Sequence, residues 1–149
     1  MNNLIILFTT GCYLGYSPVV SGTVGSLGGV VLYVLLNRLV KNPFYAVITL
    51  VVFILGIFAS SKAEVIFGKK DSGKIVIDEI VGFLVTMFAI PLSWEYVVAG
   101  FFLFRLLDVI KPFPIRRFEG FEGGFGVMAD DFIAGIYANL ILHGWRYLV

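Results

Sequence analysis

The sequence predicts an all-α, polytopic membrane bundle of about five transmembrane helices, with a short N-terminal re-entrant or interfacial segment. The first observation is composition: 59% of the 149 residues are apolar and 14% are charged, with a mean hydropathy of +0.97. A soluble domain of this length cannot bury that much apolar surface. The second observation is that the apolar residues fall in runs long enough to cross a bilayer, and the third is that the charges gather at the ends of these runs.

Each predicted transmembrane helix corresponds to an apolar run of roughly 17–25 residues, the length needed to span a bilayer. The runs lie near 24–40, 44–61, 77–92, 95–111 and 127–143. The earlier run, 4–16, is shorter, contains glycine and has no positively charged start, so we expect a re-entrant or interfacial helix rather than a sixth span or a signal peptide. Without repeats or a long linker, residues 1–149 are predicted to form one domain.

Charge and metal-ligand content exclude several classes of function. The formal net charge is only +1, so there is no basic field of the kind that binds nucleic acid, and we expect no nucleic-acid partner. Cys12 and His143 are the only cysteine and histidine. They provide neither an internal disulfide nor a Cys/His metal site, so any metal must be bound by oxygen. Oligomeric state stays open.

Alternation of the spans brings the polar segments to one side of the membrane, here called the motif face. The starts of the first, third and fifth spans and the ends of the second and fourth must share this face. It carries eight cations: Lys62, Lys69, Lys70, Lys74, Arg105, Lys111, Arg116 and Arg117. The opposite face carries three: Arg38, Lys41 and Arg146. The positive-inside rule therefore predicts that the motif face is cytoplasmic.

Carboxylates at the motif face form the main candidate site. Two adjacent acidic pairs, Asp78-Glu79 and Asp130-Asp131, begin two predicted helices, and Asp108 lies near the end of another. Interfacial solvation or helix capping explains any one of them. Adjacent acids repel one another unless a cation neutralises them, and oxygen ligands at this density suit Mg²⁺. One member of each pair can bind metal while the other supports it or acts on water.

Basic residues around the fourth span can be interpreted in two ways. Arg105, Asp108 and Lys111 are spaced i, i+3, i+6 along one predicted helix face, which is typical of a local ion-pair ladder. The Pro-x-Pro sequence that follows makes a turn, which projects three cations toward the acidic cluster and suits phosphate binding. These cations are Lys111, Arg116 and Arg117.

Two glycine-rich segments also leave alternatives open. Residues 123–126 either present backbone amides to an anion at a helix N-terminus or form a flexible connection. Residues 17–26 lack the ending of a phosphate-binding Walker loop. They either cap a helix and allow close packing, or they offer the Thr23 and Ser26 hydroxyls to a polar lipid head.

Four sequence blocks together resemble bacterial phosphatidylglycerophosphatase A. They are residues 15–26, Ile77-Asp78-Glu79 with Gly82, residues 104–116 (Phe-Arg-Leu-Leu-Asp-Val-Ile-Lys-Pro-Phe-Pro-Ile-Arg), and residues 123–131 with Ala134-Gly135. They occur in order over nearly the whole chain, although Ser21 stands where the family pattern has proline. The resemblance implies a Mg²⁺-dependent phosphatase of the bacterial inner membrane that hydrolyses phosphatidylglycerophosphate, an anionic phospholipid, to phosphatidylglycerol and phosphate.

The residues are consistent with that chemistry, because water attack on a phosphomonoester requires charge neutralisation, orientation and a base. We predict that Asp78, Glu79, Asp130 and Asp131 hold Mg²⁺ and activate water, and that Asp108 is a further ligand or orients Arg105. Arg105, Lys111 and Arg116 are predicted to bind phosphate. No Ser-His-Asp or cysteine nucleophile is evident, and a phosphoaspartyl intermediate is the less economical route.

Two other classes of function remain as alternatives. A small cation or proton transporter would distribute its carboxylates through the depth of the membrane. A non-catalytic membrane subunit would expose its charges to a partner and would have no affinity for metal.

Overall fold

The computed structural model describes residues 2–148, apart from the side chain of Glu119, and this part of the chain is helical with no strand. The described residues form seven α-helices in chain order: α1 (Asn2–Thr9), α2 (Ser21–Leu39), α3 (Asn42–Phe67), α4 (Ile77–Thr86), α5 (Trp94–Ile110), α6 (Ile115–Glu119) and α7 (Gly123–Leu148). A 3-10 turn covers Leu14–Tyr16 between α1 and α2. The all-helical fold class is confirmed.

Helix α4 is the centre of the bundle. Eight of its ten residues are buried, and α2, α3, α5 and α7 all pack against it. Glycines allow the close approach: a Cβ on Gly29 of α2 would lie 2.9 Å from the Phe83 Cβ, and a Cβ on Gly82 would lie 2.5 Å from the Phe104 ring. Small residues have this role in membrane helix packing. The third apolar run therefore forms a buried core helix.

Three helices in the described part of the chain, α2, α3 and α7, are long and apolar enough to cross a membrane. Helix α5 has 17 residues and α4 only 10, which at 1.5 Å per residue is about 26 Å and about 15 Å against a hydrocarbon core of about 30 Å. The predicted count of five full spans is not confirmed. The largest difference is at 77–92, where the helix ends at Thr86.

Carbonyl groups at the end of α4 and in the backbone that follows it accept hydrogen bonds from other helices. Each partner is a side chain of α2, α3 or α7: Tyr33 donates to the Ile90 carbonyl (3.0 Å), Tyr45 to Leu84 (2.6 Å), and Asn139 to Thr86 (2.9 Å) and Phe88 (2.8 Å). His143 also contacts the Phe88 carbonyl at 3.3 Å. Non-helical backbone is tolerated at membrane depth when protein groups satisfy it. His143 therefore lies at the end of α4 away from the acidic residues.

The N-terminal segment is short and folds back on the bundle. Helix α1 has eight residues, about 12 Å by helical rise, which is too short to cross a bilayer. Three consecutive residues after it, Gly11, Cys12 and Tyr13, have positive φ and reverse the chain. The Val76 amide then donates to the Thr9 carbonyl at 2.9 Å. This contact anchors the end of α1 beside the start of α4.

Apolar side chains on the outer helices are exposed in rows. On α2 they recur every four residues, at Leu27, Val31 and Leu35, and on α5 Phe102, Leu106 and Val109 form a similar stripe. Such continuous apolar surface is typical of helices whose neighbours are lipid chains. The exposed stripes support the prediction of a membrane protein.

Candidate active site

The first turn of α4 supplies two of the predicted site residues. Asp78 is buried and Glu79 is half-buried, between the buried side chains of Ile77 and Ile80. The partial positive charge of a helix N-terminus favours acids at these positions. Because the isoleucines fix this turn against the core, the two carboxyl groups are held inside the protein.

Asp131 of α7 faces this turn. One carboxylate oxygen from each of Asp78, Glu79 and Asp131 can be chosen so that all three lie within 4.8 Å of one another. This set, here called the carboxylate cluster, joins two helices that are far apart in the sequence. Three hard oxygen donors converging at this spacing fit one divalent cation.

Unpartnered oxygens support the same interpretation. The buried Asp78 Oδ1, Glu79 Oε2 and Asp131 Oδ2 have no hydrogen-bond partner among the described residues, and the same holds for Asp130 Oδ1. Buried polar atoms are almost always satisfied, so each exception requires an explanation. A bound cation would provide it, since it would supply these oxygens with a partner and remove the repulsion between the carboxylates.

Asp130 is adjacent to Asp131 but has a different partner. Consecutive helical residues point about 100° apart, and the Asp130 Oδ2 accepts a hydrogen bond from Lys111 Nζ at 2.7 Å. Lys111 has a positive φ of 46° just after α5, an uncommon conformation that directs its side chain toward α7. The sequence predicted four carboxylates around one metal site. The structure brings three of them together, and Asp130 lies beside them, paired with Lys111.

Arg105 and Asp108 form the local pair that their spacing predicts. The Arg105 Nη1 donates to Asp108 Oδ2 at 2.6 Å, and both side chains are mostly buried. The Asp108 carboxyl also lies beside that of Asp131. Asp108 thus connects the guanidinium to the carboxylate cluster. The predicted three-residue ladder is interrupted, since Lys111 leaves the helix and pairs with Asp130.

Two residues of the site were missed by the sequence analysis. A Cβ on Gly22 would lie 2.5 Å from Glu79 Oε1 and 3.1 Å from Arg105 Nη2, so the first turn of α2 covers the site at contact distance. Asp71, in the α3–α4 loop, is close enough to Asp78 and Asp130 to act on both electrostatically. Neither lies in a pattern of spaced acids, and only the packing of three helices and a loop places them there.

The remaining predicted phosphate-binding residues lie at the edge of the site or in the packing around it. The Ser26 hydroxyl is buried and donates to the Gly22 carbonyl at 2.9 Å, a contact inside α2. Thr23 follows Gly22 in the first turn of α2 and is half-buried. Arg116 is exposed in α6 and lines a pocket with Lys111. The roles predicted for these side chains stay predictions.

The glycines at 123–126 have a packing role that neither sequence-based alternative included. Helix α7 already begins at Gly123, and the Gly124 amide donates to Ser61 Oγ at 2.7 Å. A Cβ on Gly124 would overlap the Ile57 carbonyl of α3. These residues are not a flexible connection, because they belong to α7 and their absent side chains let α7 pack directly on α3, while a role of their other amides toward an anion stays a prediction. Asp130 and Asp131 consequently lie two turns inside the helix.

An all-helical membrane bundle that places three convergent carboxylates beside arginine and lysine side chains contains the groups that a membrane-bound phosphatase requires. Comparison with protein-family models agrees: residues 7–146 match the model described as phosphatidylglycerophosphatase A. The chain belongs to this family, and it is a phosphatase.

Similar proteins cover nearly the whole chain. The chain is 42% identical over 147 residues to a phosphatidylglycerophosphatase A of Haemophilus influenzae (97% of this chain, 90% of the relative). It is 37% identical over 145 residues to the Escherichia coli K12 protein of that name (96% and 84%). It is also 37% identical over 155 residues to a putative phosphatidylinositol-3-phosphatase of Bacteroides thetaiotaomicron (98% and 96%). No solved structure matches the chain.

Proposed function

We propose that the chain hydrolyses phosphatidylglycerophosphate to phosphatidylglycerol and inorganic phosphate, that the reaction requires Mg²⁺, and that the site faces the cytoplasm. The carboxylate cluster carries this proposal, because its buried oxygens converge within 4.8 Å and have no partner among the described residues. The names of the H. influenzae and E. coli relatives support the lipid.

Asp78, Glu79 and Asp131 would hold Mg²⁺. The bound ion would neutralise charge on the phosphate and lower the pKa of water. A carboxylate of the site accepts the proton of the attacking water, while the water oxygen bonds to phosphorus and the bond from phosphorus to the glycerol oxygen breaks. The glycerol oxygen then takes up a proton to leave as a hydroxyl.

Cationic side chains would bind and orient the phosphate. Arg105 is held by Asp108 at 2.6 Å, which fixes a planar donor group suited to two phosphate oxygens. Lys111 is held by Asp130 at 2.7 Å and brings a second positive charge to the same end of the bundle. In this proposal Asp108 and Asp130 position the cations, and the carboxylate cluster holds the metal.

The test is phosphate release by the purified protein in detergent from three lipids: phosphatidylglycerophosphate, phosphatidic acid and phosphatidylinositol 3-phosphate. We expect the first to be the preferred substrate, with turnover lost in EDTA and restored by added Mg²⁺. Turnover that resists EDTA would contradict the metal requirement. Preference for phosphatidylinositol 3-phosphate would instead indicate the kind of substrate named for the B. thetaiotaomicron relative.

Membrane orientation needs a separate test. The positive-inside argument favours a cytoplasmic site. In a Cys12→Ser background, needed because Cys12 is exposed, single cysteines at the exposed positions Lys69, Glu122 and Glu95 would be labelled in intact cells with a membrane-impermeant reagent. We expect only the position-95 cysteine to react from outside. Labelling of position 69 or 122 from outside would contradict the proposed orientation.

The transporter alternative fits the structure less well. A proton or cation path needs carboxylates at several depths. The buried carboxylates of residues 2–148 are Asp78, Asp130 and Asp131, and all three lie at one end of the bundle. Their arrangement favours a surface reaction over a transmembrane path.

A further inference from the structure

A basic pocket lies beside the carboxylate cluster, in the turn between α5 and α6. Its volume is about 300 Å³, and it is lined by Lys111, Phe113, Pro114, Arg116 and Arg117. Three of the five lining residues are cations. The Arg117 guanidinium lies 4.7 Å from the centre of the Phe113 ring, an attractive contact that holds it at the wall of the pocket.

The pocket lies between the lipid-facing surface and the reaction site. On one side the apolar side chains of Val109, Ile110 and Phe113 are 72%, 56% and 72% exposed, so this end of α5 presents an apolar surface suited to contact with lipid. On the other side Lys111 lines the pocket and also reaches Asp130 of α7 at 2.7 Å. A lipid whose chains lie in the bilayer would present its headgroup to the pocket before the carboxylate cluster.

The cationic side chains that line the basic pocket favour an anion with several oxygens. Arginine binds phosphate oxygens through paired N–H groups, and lysine adds a point charge. The carboxylate cluster is a poor place for a second phosphate, because a bound cation and the neighbouring arginine and lysine would already have to offset the negative charges of the cluster and of the first phosphate. A substrate that carries two phosphate groups therefore needs a second cationic site close to the first.

Phosphatidylglycerophosphate has such a pair. One phosphate is a monoester, which reacts, and the other is a diester that links the glycerol to the lipid. We propose that the basic pocket binds the phosphodiester of the substrate while the carboxylate cluster receives the phosphomonoester. This inference rests on the proposed function. It assigns Arg116 and Arg117 to recognition of the non-reacting phosphate and makes the pocket the source of preference over phosphatidic acid, which lacks the diester.

The experiment compares Arg116→Gln/Arg117→Gln with the wild type and with a matched double variant, Lys69→Gln/Lys70→Gln. The control removes two exposed cations from the α3–α4 loop of the same face, outside the pocket. Phosphate release is measured with Mg²⁺ in neutral detergent micelles, as KM and kcat for phosphatidylglycerophosphate and for phosphatidic acid. Melting temperature is recorded for each protein.

For the arginine variant we expect KM for phosphatidylglycerophosphate to rise about tenfold, which corresponds to about 1.4 kcal/mol and is near the lower end of what hydrogen bonds to charged groups contribute. Its kcat should stay within about twofold, and its KM for phosphatidic acid should rise much less than its KM for phosphatidylglycerophosphate, since phosphatidic acid makes no diester contact. The lysine control should match the wild type. Equal increases of KM in both double variants would indicate general attraction to anionic micelles and overturn the proposal.

The same phosphodiester chemistry could come from a separate phospholipid. Adding phosphatidylglycerol to the wild type separates the two sources: an activating lipid would raise kcat, and the arginine variant would lose this activation without a change of KM. That outcome, or an unchanged KM in the arginine variant, overturns the inference and leaves the proposed function standing. Failure of the wild type to release phosphate from phosphatidylglycerophosphate would instead contradict the proposed function itself.

Discussion

Polar groups at the two ends of α4 differ in whether they have hydrogen-bond partners. At its start, Asp78 and Glu79 each have a buried carboxylate oxygen without a partner among the described residues. At its end, the carbonyls of residues 84–90 accept hydrogen bonds from side chains of three other helices, at 2.6–3.0 Å. Both ends are buried in the same bundle, and the helix between them has only ten residues.

This difference distinguishes the residues that form the proposed ligand site from the residues that stabilise the fold. Satisfied carbonyls allow α4 to stop inside a membrane bundle, so the bonds at its end stabilise the fold. Unsatisfied carboxylates cost stability unless something binds them, so their persistence at the other end indicates a ligand site. Substitutions at the start of α4 should therefore change activity, and substitutions at its end should change stability. The following predictions test this separation.

The largest effect is expected for Asp131→Asn in the carboxylate cluster. A neutral amide is a poor substitute for a hard anionic ligand, so turnover should fall by at least about a hundredfold and the Mg²⁺ concentration for half-maximal rate should rise. The melting temperature without metal should hold or increase, because one of the mutually repelling charges is removed. A lower melting temperature with near-normal turnover would place Asp131 among the structural residues.

Lys111→Met tests the cation that is held by Asp130. The change preserves the length of the side chain and removes a proposed phosphate contact, so turnover should fall about tenfold with little change in Mg²⁺ dependence. Because Asp130 is then buried without its cation, some stability is also lost. Adding Asp130→Asn should recover the melting temperature but not the rate. Recovery of both would show that the pair has only a structural role.

Gly22→Ala adds a methyl group where the first turn of α2 covers the site. Its Cβ would lie 2.5 Å from Glu79 Oε1 and 3.1 Å from Arg105 Nη2, so these two groups must move, and small displacements in an active site cost up to about a hundredfold in rate. We expect a fall of about tenfold at unchanged melting temperature. Gly73→Ala is the control, since its Cβ would meet only Ser21 Oγ at 3.8 Å. Equal rates in the two variants would contradict the contact.

Asn139→Ala removes both hydrogen bonds to the Thr86 and Phe88 carbonyls. Leaving the Thr86 carbonyl without this partner, and the Phe88 carbonyl with only the longer His143 contact, should lower the free energy of unfolding by about 1–3 kcal/mol and leave kcat within about twofold. Thermal denaturation in detergent measures the first effect and phosphate release the second. His143→Ala should have a weaker effect, because its contact with Phe88 is longer, at 3.3 Å. A large loss of kcat without destabilisation would contradict the claim that the end of α4 affects stability and not activity.

Tyr45→Phe should give the smallest effect. It removes a single hydroxyl, which donates to the Leu84 carbonyl at 2.6 Å, and should cost about 1 kcal/mol of stability without changing turnover. Tyr147→Phe is a matched control on a side chain that is 87% exposed and should not change the melting temperature. Identical melting behaviour of the two variants would mean that the hydroxyl of Tyr45 does not support the end of α4.

Sequence alone determined the class of this protein, the positions of most helices and the end of the bundle where the candidate site lies. Hydropathy identifies the apolar runs that are long enough to lie in a membrane. Alternation of the spans then brings acids that are distant in sequence to the motif face. From these rules Asp78, Glu79, Asp130 and Asp131 were grouped as metal ligands, and three of the four, Asp78, Glu79 and Asp131, converge within 4.8 Å.

Tertiary structure alone decided where α4 ends, which acid of each pair faces the cluster, and which residues complete the site. An apolar run does not reveal that Tyr33, Tyr45 and Asn139 will satisfy carbonyls from another helix. Nor does adjacency reveal that Asp130 turns toward Lys111, or that Gly22 touches Glu79 and Arg105. These outcomes depend on the rotation and spacing of neighbouring helices, which packing between distant segments sets.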